Sequence, residues 1–573
     1  MVFHTLRAIL FITTIKNRNL GANMSNVIKN YLLPTKIIDS FGNIDNKNAL
    51  LDNKRDQIFV SETNYCIVKG KGYIVLDFGK ELCGGIRILN HDEDSKGTKQ
   101  NIRVRFGESV NECFAERREK NADNHHSIRD FTVELPRYSD QEFGQTGFRF
   151  VRIDFLEDAE YRIVNIYAVS YRRDEIRLGN FKCDDDLINK IYDTAAYTVS
   201  LNMQKYLWDG IKRDRLIWVG DMQPEVSAIT YLYGKSDCVE ETLKTAVDAT
   251  PLPGWFGGNI PSYSMWFIRI VYDYCLRNND KEFAIQYLPY IEGVLEQMNC
   301  CVCENGKIDY SLSNAFCPGD GFFFDWPSSK SIDKQIGNRY IIKYCLETLK
   351  SLYKFLGVKE SPLCDIILSK LSMVKLNNPM MKQIIAMGYF SKDLNKDYVA
   401  EKLIDGGAKG LSTFMSYYIL SAIAETSEVE VALNIMKEYY GGMLSVGATS
   451  FWEDFDVEWL KDSGTIDKLT LGSKKDIHGD FGDYCYKGFR HSLCHGWSCG
   501  PVQFLTEYVL GVKIPEYGYK KICIAPKMGH LKWAKGSVPT PYGVLEIEHK
   551  VNGNGDILTT VNAPSEVEYE VLN

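Results

Sequence analysis

The sequence predicts a chain of three parts: a β-sandwich, then an array of helical hairpins, then a small β-sheet. Three observations predict it. From about Tyr65 to Tyr171 apolar and polar residues alternate with period two; at Asp184 the period lengthens to that of a helix; after Gly511 the strand pattern returns. A length of 573 residues exceeds what one ordinary core supports, so several domains are expected.

Each part can be justified in order. The first 23 residues contain "LRAILFITTI", a basic residue before a short apolar run, and read as an extension or a weak signal-like segment. The run is brief, no small-residue cleavage site follows, and Met24 is an alternative start. Residues 24–178 read as the sandwich, with "GYIVLDFG", "NIRVRFGES", "DFTVELP", "GFRFVRIDF" and "RIVNIYAVSY" as strands, and nothing among them has a catalytic arrangement. Residues 179–512 read as helical. Behind the capping run Asp184-Asp185-Asp186, Leu187, Ile191, Ala195 and Val199 step by four. Roughly twelve helices follow at about 27 residues per helix and loop, which implies an α-solenoid or its closed form, a ring of hairpins. Residues 513–573, with "KICIAPK" and "YGVLEIEHKV", read as a C-terminal sheet.

In an up-down ring, connections after odd-numbered helices emerge at one end. The long loops of this region fall there: "WDGIKRDRLIWVGDMQPE", "PLPGWFGGNIPSY", "SLSNAFCPGDGFFFDWPSSK", and the pair "GGMLSVGATSFWEDFDVEW" and "GDFGDYCYKGFRHSLCHGW". Loops of such length in a compact domain are usually functional. They bring carboxylates next to Trp or Gly: Asp214 and Asp221, Asp325, and Glu453. Paired carboxylates in a cleft lined by indoles suit glycoside cleavage, where one acid protonates the leaving oxygen and the other activates water or attacks the anomeric carbon. Tryptophan faces stack on sugar rings, and Arg213 and Arg215 are placed to keep neighbouring carboxylates ionised. The competing readings are an Asp214–Arg215 pair that staples the loop, and Trp326 and Trp452 as core residues.

Other chemistries find less support. A net charge of -8 and a pI near 5.8 argue against nucleic acid as the partner. No apolar run reaches the about 18 residues of a membrane span. Sixteen scattered cysteines read as reduced thiols of a cytoplasmic protein, with export by the weak N-terminal segment as the competing reading. "HSLCHGWSC" brings His491, Cys494, His495 and Cys499 together in a spacing that matches no standard zinc pattern, so no metal is expected. No P-loop and no serine-hydrolase elbow is present, and no cofactor is called for.

At "DGIKRDRLIWVGD" together with "GATSFWED" the chain resembles the bacterial α-L-rhamnosidases of glycoside hydrolase family 78. Asp325-Trp326 and "SLCHGWSCG" continue the match in order and separation, as do "LDFGKE" and "GFRFVRI" before the helices and "GSVPTPYGVLEIE" after them. The resemblance covers most of the chain from about residue 60. It implies an (α/α)6 six-hairpin barrel flanked by β-domains that releases terminal α-linked L-rhamnose with inversion. Carried over by position, Glu453 is the general base and Asp214 stands at the general-acid position. Asp209 and Asp221 grip sugar hydroxyls. Arg213, Asp325, Trp326, Trp452 and His495 line the pocket, and Trp218 and Trp266 form an apolar wall for the methyl group. The family's acid is commonly Glu, one methylene longer than Asp214, which leaves Glu225 as a competing acid. Ile211 stands where the family often has Pro. Two other functions stay open: a six-hairpin glycosidase for another terminal sugar or uronide, and a non-catalytic carbohydrate-binding relative.

Overall fold

The computed structural model describes residues 26–52, 56–91, 99–374, 377–514 and 518–572. The signal-like segment and the alternative start at Met24 lie outside the described residues.

The first part folds as strands β1 (Val27–Leu32), β2 (Lys36–Asp45), β3 (Cys66–Asn90), β4 (Asn101–Gly107), β5 (Asp130–Glu134), β6 (Ser139–Phe155) and β7 (Glu160–Arg173). They form one hydrogen-bonded sheet in the order β1-β7-β3-β6-β4-β5, with β2 also on β3. The sequence pattern predicts a sandwich of two sheets, and the strands instead join into one hydrogen-bonded sheet. The long strand β3 bridges β2, β6 and β7, and its register with β6 shifts between Asp77 and Leu82 and between Gly84 and Ile86. Such irregularities bend a strand. The sheet encloses an apolar core that includes Leu76, Phe106, Phe148 and Ile153.

Strand β8 (Asn180–Cys183) comes next, and it pairs with β11 (Trp533–Thr540), more than 300 positions later in the chain. The remaining C-terminal strands are β9 (Val512–Lys513), β10 (Lys521–Ile524), β12 (Gly543–Val551), β13 (Ile557–Asn562) and β14 (Glu568–Val571). They complete a four-stranded sheet, β13-β12-β11-β8, and a three-stranded one, β14-β10-β9. The C-terminal sheet thus takes its edge strand from the segment just before the helices.

Between them run α1 (Asp186–Asn202), α2 (Met222–Leu232), α3 (Asp237–Ala249), α4 (Pro261–Asn278), α5 (Lys281–Cys301), α6 (Ser331–Leu356), α7 (Pro362–Ser372), α8 (Lys382–Phe390), α9 (Lys396–Ile404), α10 (Ser416–Thr426), α11 (Val429–Ser445) and α12 (Gly500–Phe504), which a π-turn extends to Val509. Asp185 caps α1 by accepting from the Leu187 and Ile188 amides, as the acidic run predicted. The even-numbered helices touch in a closed cycle: α2 with α4, α4 with α6, α6 with α8, α8 with α10, α10 with α12, and α12 with α2. Burial separates the two sets. Every residue of α2 is buried, whereas α7 buries only Cys364, Ile367 and Leu371. A helix buried all round belongs inside and one with a single buried stripe outside. Connections that follow odd-numbered helices are the long ones. No helix among the described residues is long and apolar enough to cross a membrane, and all sixteen cysteines are free thiols.

Candidate active site

A cavity of about 460 Å³ opens at the end of the helical cycle, inside the about 300–1,000 Å³ range of small-molecule sites. Four loops line it, each following an odd-numbered helix: Asp209 to Asp221 after α1, Gly257 to Ile260 after α3, Pro318 to Trp326 after α5, and Glu453 to Trp497 after α11.

The loop after α1 is folded around Asp209. One carboxylate oxygen accepts from the Asp214 amide and the other from the Leu216 amide, both at 2.9 Å. Asp209 therefore braces the turn that presents Asp214, while still lining the cavity. Burial raises its pKa to about 7, with Asp221 adding to the effect. Gly220 ends the loop where a Cβ would fall 2.3 Å from the Tyr263 ring, so glycine is required there.

Glu453 is carried by a short pairing of the two halves of the last loop: its amide donates to the Ser492 carbonyl, and the His495 amide to that of Phe451. Arg213 Nη2 then clasps the Glu453 carboxylate at 2.5 and 2.6 Å, while Nη1 donates to Asp214 Oδ1 at 2.9 Å. One guanidinium thus spans the two carboxylates singled out from the sequence. Burial opposes ionisation of Glu453, but Arg213, helped by His495 and His491, outweighs it and holds the carboxyl below its usual range.

On the far side Asp221 accepts from the Tyr263 hydroxyl at 2.6 Å and faces His495 Nε2 at 3.3 Å. Burial raises the Asp221 pKa. Burial also resists charge on His495, but Glu453, Asp221 and Asp209 prevail and raise its pKa. Asp209, Asp221 and His495 bring ligand-type atoms within 4.8 Å of one another. A histidine biased towards its charged form favours hydrogen bonds to hydroxyls over a cation. A second such group, Glu108, Glu112 and His478, is occupied from within: the Lys212 ammonium lies 2.8 Å from Glu108 and 3.4 Å from Glu112.

Among the aromatic residues, Trp218 and Trp326 line the cavity with Tyr263, Phe322, Phe323 and Trp497. Three expected lining residues do not. Trp266 is fully buried in α4 against Phe414 and Tyr418, because α4 belongs to the inner cycle and turns this face into the core. Trp452 is buried edge-on against Phe455 and His491, since its neighbour Glu453 takes the opposite side of the backbone. Asp325 turns inward to accept from the Ser328 amide at 3.0 Å, leaving Trp326 to face the cavity. Glu225, the competing acid, is fully buried outside the cavity lining, with neither carboxylate oxygen hydrogen-bonded; Gly496 lies so close that a Cβ would meet Glu225 Oε1 at 1.8 Å. The proposed Asp214–Arg215 staple is absent as well: Arg215 stacks over Trp208 and donates to the Gln145 carbonyl.

Several residues escaped the sequence reading. Tyr263, Arg490 and Trp497 sit in or beside the long loops, but nothing in their spacing set them apart. His126, from the N-terminal sheet region, reaches Asp214 Oδ1 with Nε2 at 3.1 Å. No local signal marks it, because the contact exists only where two distant parts of the chain meet.

With this geometry in view, comparison with known proteins is direct. Residues 176–274 match the bacterial α-L-rhamnosidase six-hairpin glycosidase domain, and residues 511–573 the C-terminal domain of the same enzymes. Both stretches are thus similar to domains of bacterial α-L-rhamnosidases. The α-L-rhamnosidase of Formosa agariphila is 20% identical over 492 residues, covering 75% of this chain and 48% of that protein. The family 78 rhamnosidase of Bacillus sp. GL1 superposes with a TM-score of 0.72 at 19% identity, over 92% of this chain and 55% of that one. The rhamnosidase of Klebsiella oxytoca, solved with rhamnose bound, gives 0.63 at 16% identity, over 84% of this chain and 95% of that one. These structural likenesses are likenesses of fold. The chain spans about half the length of the curated relatives it matches.

Proposed function

We propose that this chain hydrolyses terminal α-L-rhamnosides with inversion, in an (α/α)6 barrel spanning about 179–512 between an N-terminal β-domain and a C-terminal sheet domain. The observation that carries the reading is Glu453, held ionised by Arg213 in the cavity wall with Asp214 on the same guanidinium. Their separation is bounded by two hydrogen bonds and one guanidinium width, which is compatible with the about 6.5–9.5 Å of an inverting pair.

In this mechanism Glu453 takes a proton from water as the water oxygen bonds to the anomeric carbon. The bond from that carbon to the leaving oxygen breaks, and Asp214 protonates that oxygen. Burial, against the pull of Asp214, lowers the His126 pKa, and its Nε2 stands 3.1 Å from Asp214 Oδ1, beside the acid. Asp221 and His495 hold sugar hydroxyls, Asp209 fixes the loop, and Trp218, Tyr263 and Phe323 offer an apolar surface to the 6-methyl group. A terminal uronide fits less well, because the arginine nearest Glu453 is already engaged by two carboxylates.

The test is release of p-nitrophenol from p-nitrophenyl α-L-rhamnoside and a panel of other glycosides, with the product anomer followed by NMR. Turnover confined to the rhamnoside with an inverted first product is expected. Turnover of another sugar moves the specificity, and silence across the panel returns the chain to the binding-protein reading.

A further inference from the structure

Arg490 is the part of the cavity wall that this chemistry leaves unused. It ends the short turn Gly488–Arg490 in the loop between α11 and α12 and lines the cavity. Its guanidinium is oriented: Nε donates to the Cys485 carbonyl at 3.0 Å, and Nη1 lies 3.4 Å from His125 Nδ1. Neither partner is a carboxylate, and among the described residues none forms an ion pair with it. The other arginine of the cavity, Arg213, is taken up by Asp214 and Glu453.

The place of this free cation is informative. Arg490 touches His125, whose ring meets that of His126 edge to face at 6.1 Å, and His126 holds Asp214 at 3.1 Å. Arg490 therefore stands on the Asp214 flank. The acid gives its proton to the leaving oxygen, so the leaving group must extend along this flank. A guanidinium fixed through one edge, with Nη2 unpartnered in the cavity lining, offers the planar fork that carboxylates and sulfate esters accept. Stapling the loop needs only the Cys485 bond and gives no reason for cationic surface inside the cavity.

We propose that the leaving-group side of the cavity binds an anionic sugar residue, bearing a uronate carboxylate or a sulfate ester, with Arg490 as its partner and His125 beside it. This rests on the rhamnosidase reading and narrows its substrate class.

The experiment uses three rhamnosides of the full chain's proposed type: α-L-rhamnosyl units on a methyl β-glucuronide, on the matching methyl β-glucoside, and on that glucoside carrying a sulfate ester. Values of kcat/KM are compared for wild type, Arg490→Gln and Arg490→Lys. Wild type is expected to favour an anionic substrate by about tenfold or more, as one charge-assisted hydrogen bond supplies. The preference should weaken with salt, vanish in Arg490→Gln and survive in part in Arg490→Lys, which also covers an unfolded Gln variant. Which anion is favoured assigns the source. Equal wild-type values on all three substrates overturn the proposal, as does an Arg490→Gln loss that is the same on all three. If no rhamnoside is cleaved, the rhamnosidase reading fails separately. NMR titration then decides: binding of methyl β-glucuronide or the sulfated glucoside, lost in Arg490→Gln, supports the subsite, and absence of binding to wild type removes it.

Discussion

Two buried clusters of carboxylates and histidine lie on either side of the loop after α1, and they have opposite fates. Towards the helices, Asp209, Asp221, Glu453 and His495 line a cavity. Towards the N-terminal sheet, Glu108 and Glu112, with His478 beside Glu112, hold the Lys212 ammonium, which also donates to the Phe489 and His491 carbonyls. Both groups are desolvated, and both bring ligand-type atoms within 4.8 Å. One leaves its charges facing space that a substrate can fill; the other fills that space with the chain's own cation. Residue type and burial are therefore not enough to identify chemistry. What distinguishes the clusters is whether the space between the groups is filled from within or left open as a cavity. Adjacent residues of one loop, Lys212 and Arg213, serve the two clusters, so the structural cluster also fixes the loop that presents the chemical one.

The comparison breaks most readily at Glu453. Glu453→Gln should lower kcat on the aryl rhamnoside by about 10³-fold or more while leaving the melting temperature within a few degrees. A rate near wild type removes Glu453 as base. On the structural side, Lys212→Met keeps the side-chain volume but leaves the Glu108 and Glu112 carboxyls without their cation. A stability loss of about 3–5 kcal/mol is expected by denaturant titration. Glu108 gives this a pH signature. Burial raises its pKa to about 7, so the stability it contributes is present below the unfolded value of about 4.3 and is lost as pH rises through about 7. Glu108→Gln should flatten that decline; an unchanged slope shows that Glu108 is not its source.

Smaller effects sharpen the picture. Asp214→Asn should cost about 10²-fold on substrates with poor leaving groups and much less on p-nitrophenyl substrates, where the departing oxygen needs no proton. Equal losses on both assign Asp214 a binding role instead. Arg213→Gln removes the cation that outweighs burial at Glu453, so the base stays protonated to higher pH. The acidic limb of the kcat/KM profile should move upward, and a limb that stays in place detaches Arg213 from the ionisation of Glu453.

Much of this was legible locally. The period change near Asp184, the acidic cap of α1, the alternation of long and short connections and the carboxylates of the first and last loops all follow from spacing and residue type. What spacing could not supply was direction. Trp266 and Trp326 look equally suited to a sugar pocket, yet one belongs to an inner helix and is sealed in the core, while the other stands on a loop that Asp325 anchors from behind. Glu225 and Asp214 are both acids near one motif. The first turn of α2 carries Glu225 beneath Gly496, whereas the loop braced by Asp209 carries Asp214 to the cavity.

The sequence by itself determined the order of sheet, helices and sheet, and the stretches from which site residues come. These depend on backbone period and side-chain chemistry, which act over a few residues. The tertiary structure alone decided that His126 joins Asp214, that β8 completes a sheet beginning more than 300 residues later, and that Lys212 pairs with the acids of one cluster while Arg213 bridges Glu453 and Asp214 at the other. Such pairings join groups remote in sequence. They are set by which surfaces the packed helices and sheets bring together, and by the need of each buried charge for a partner.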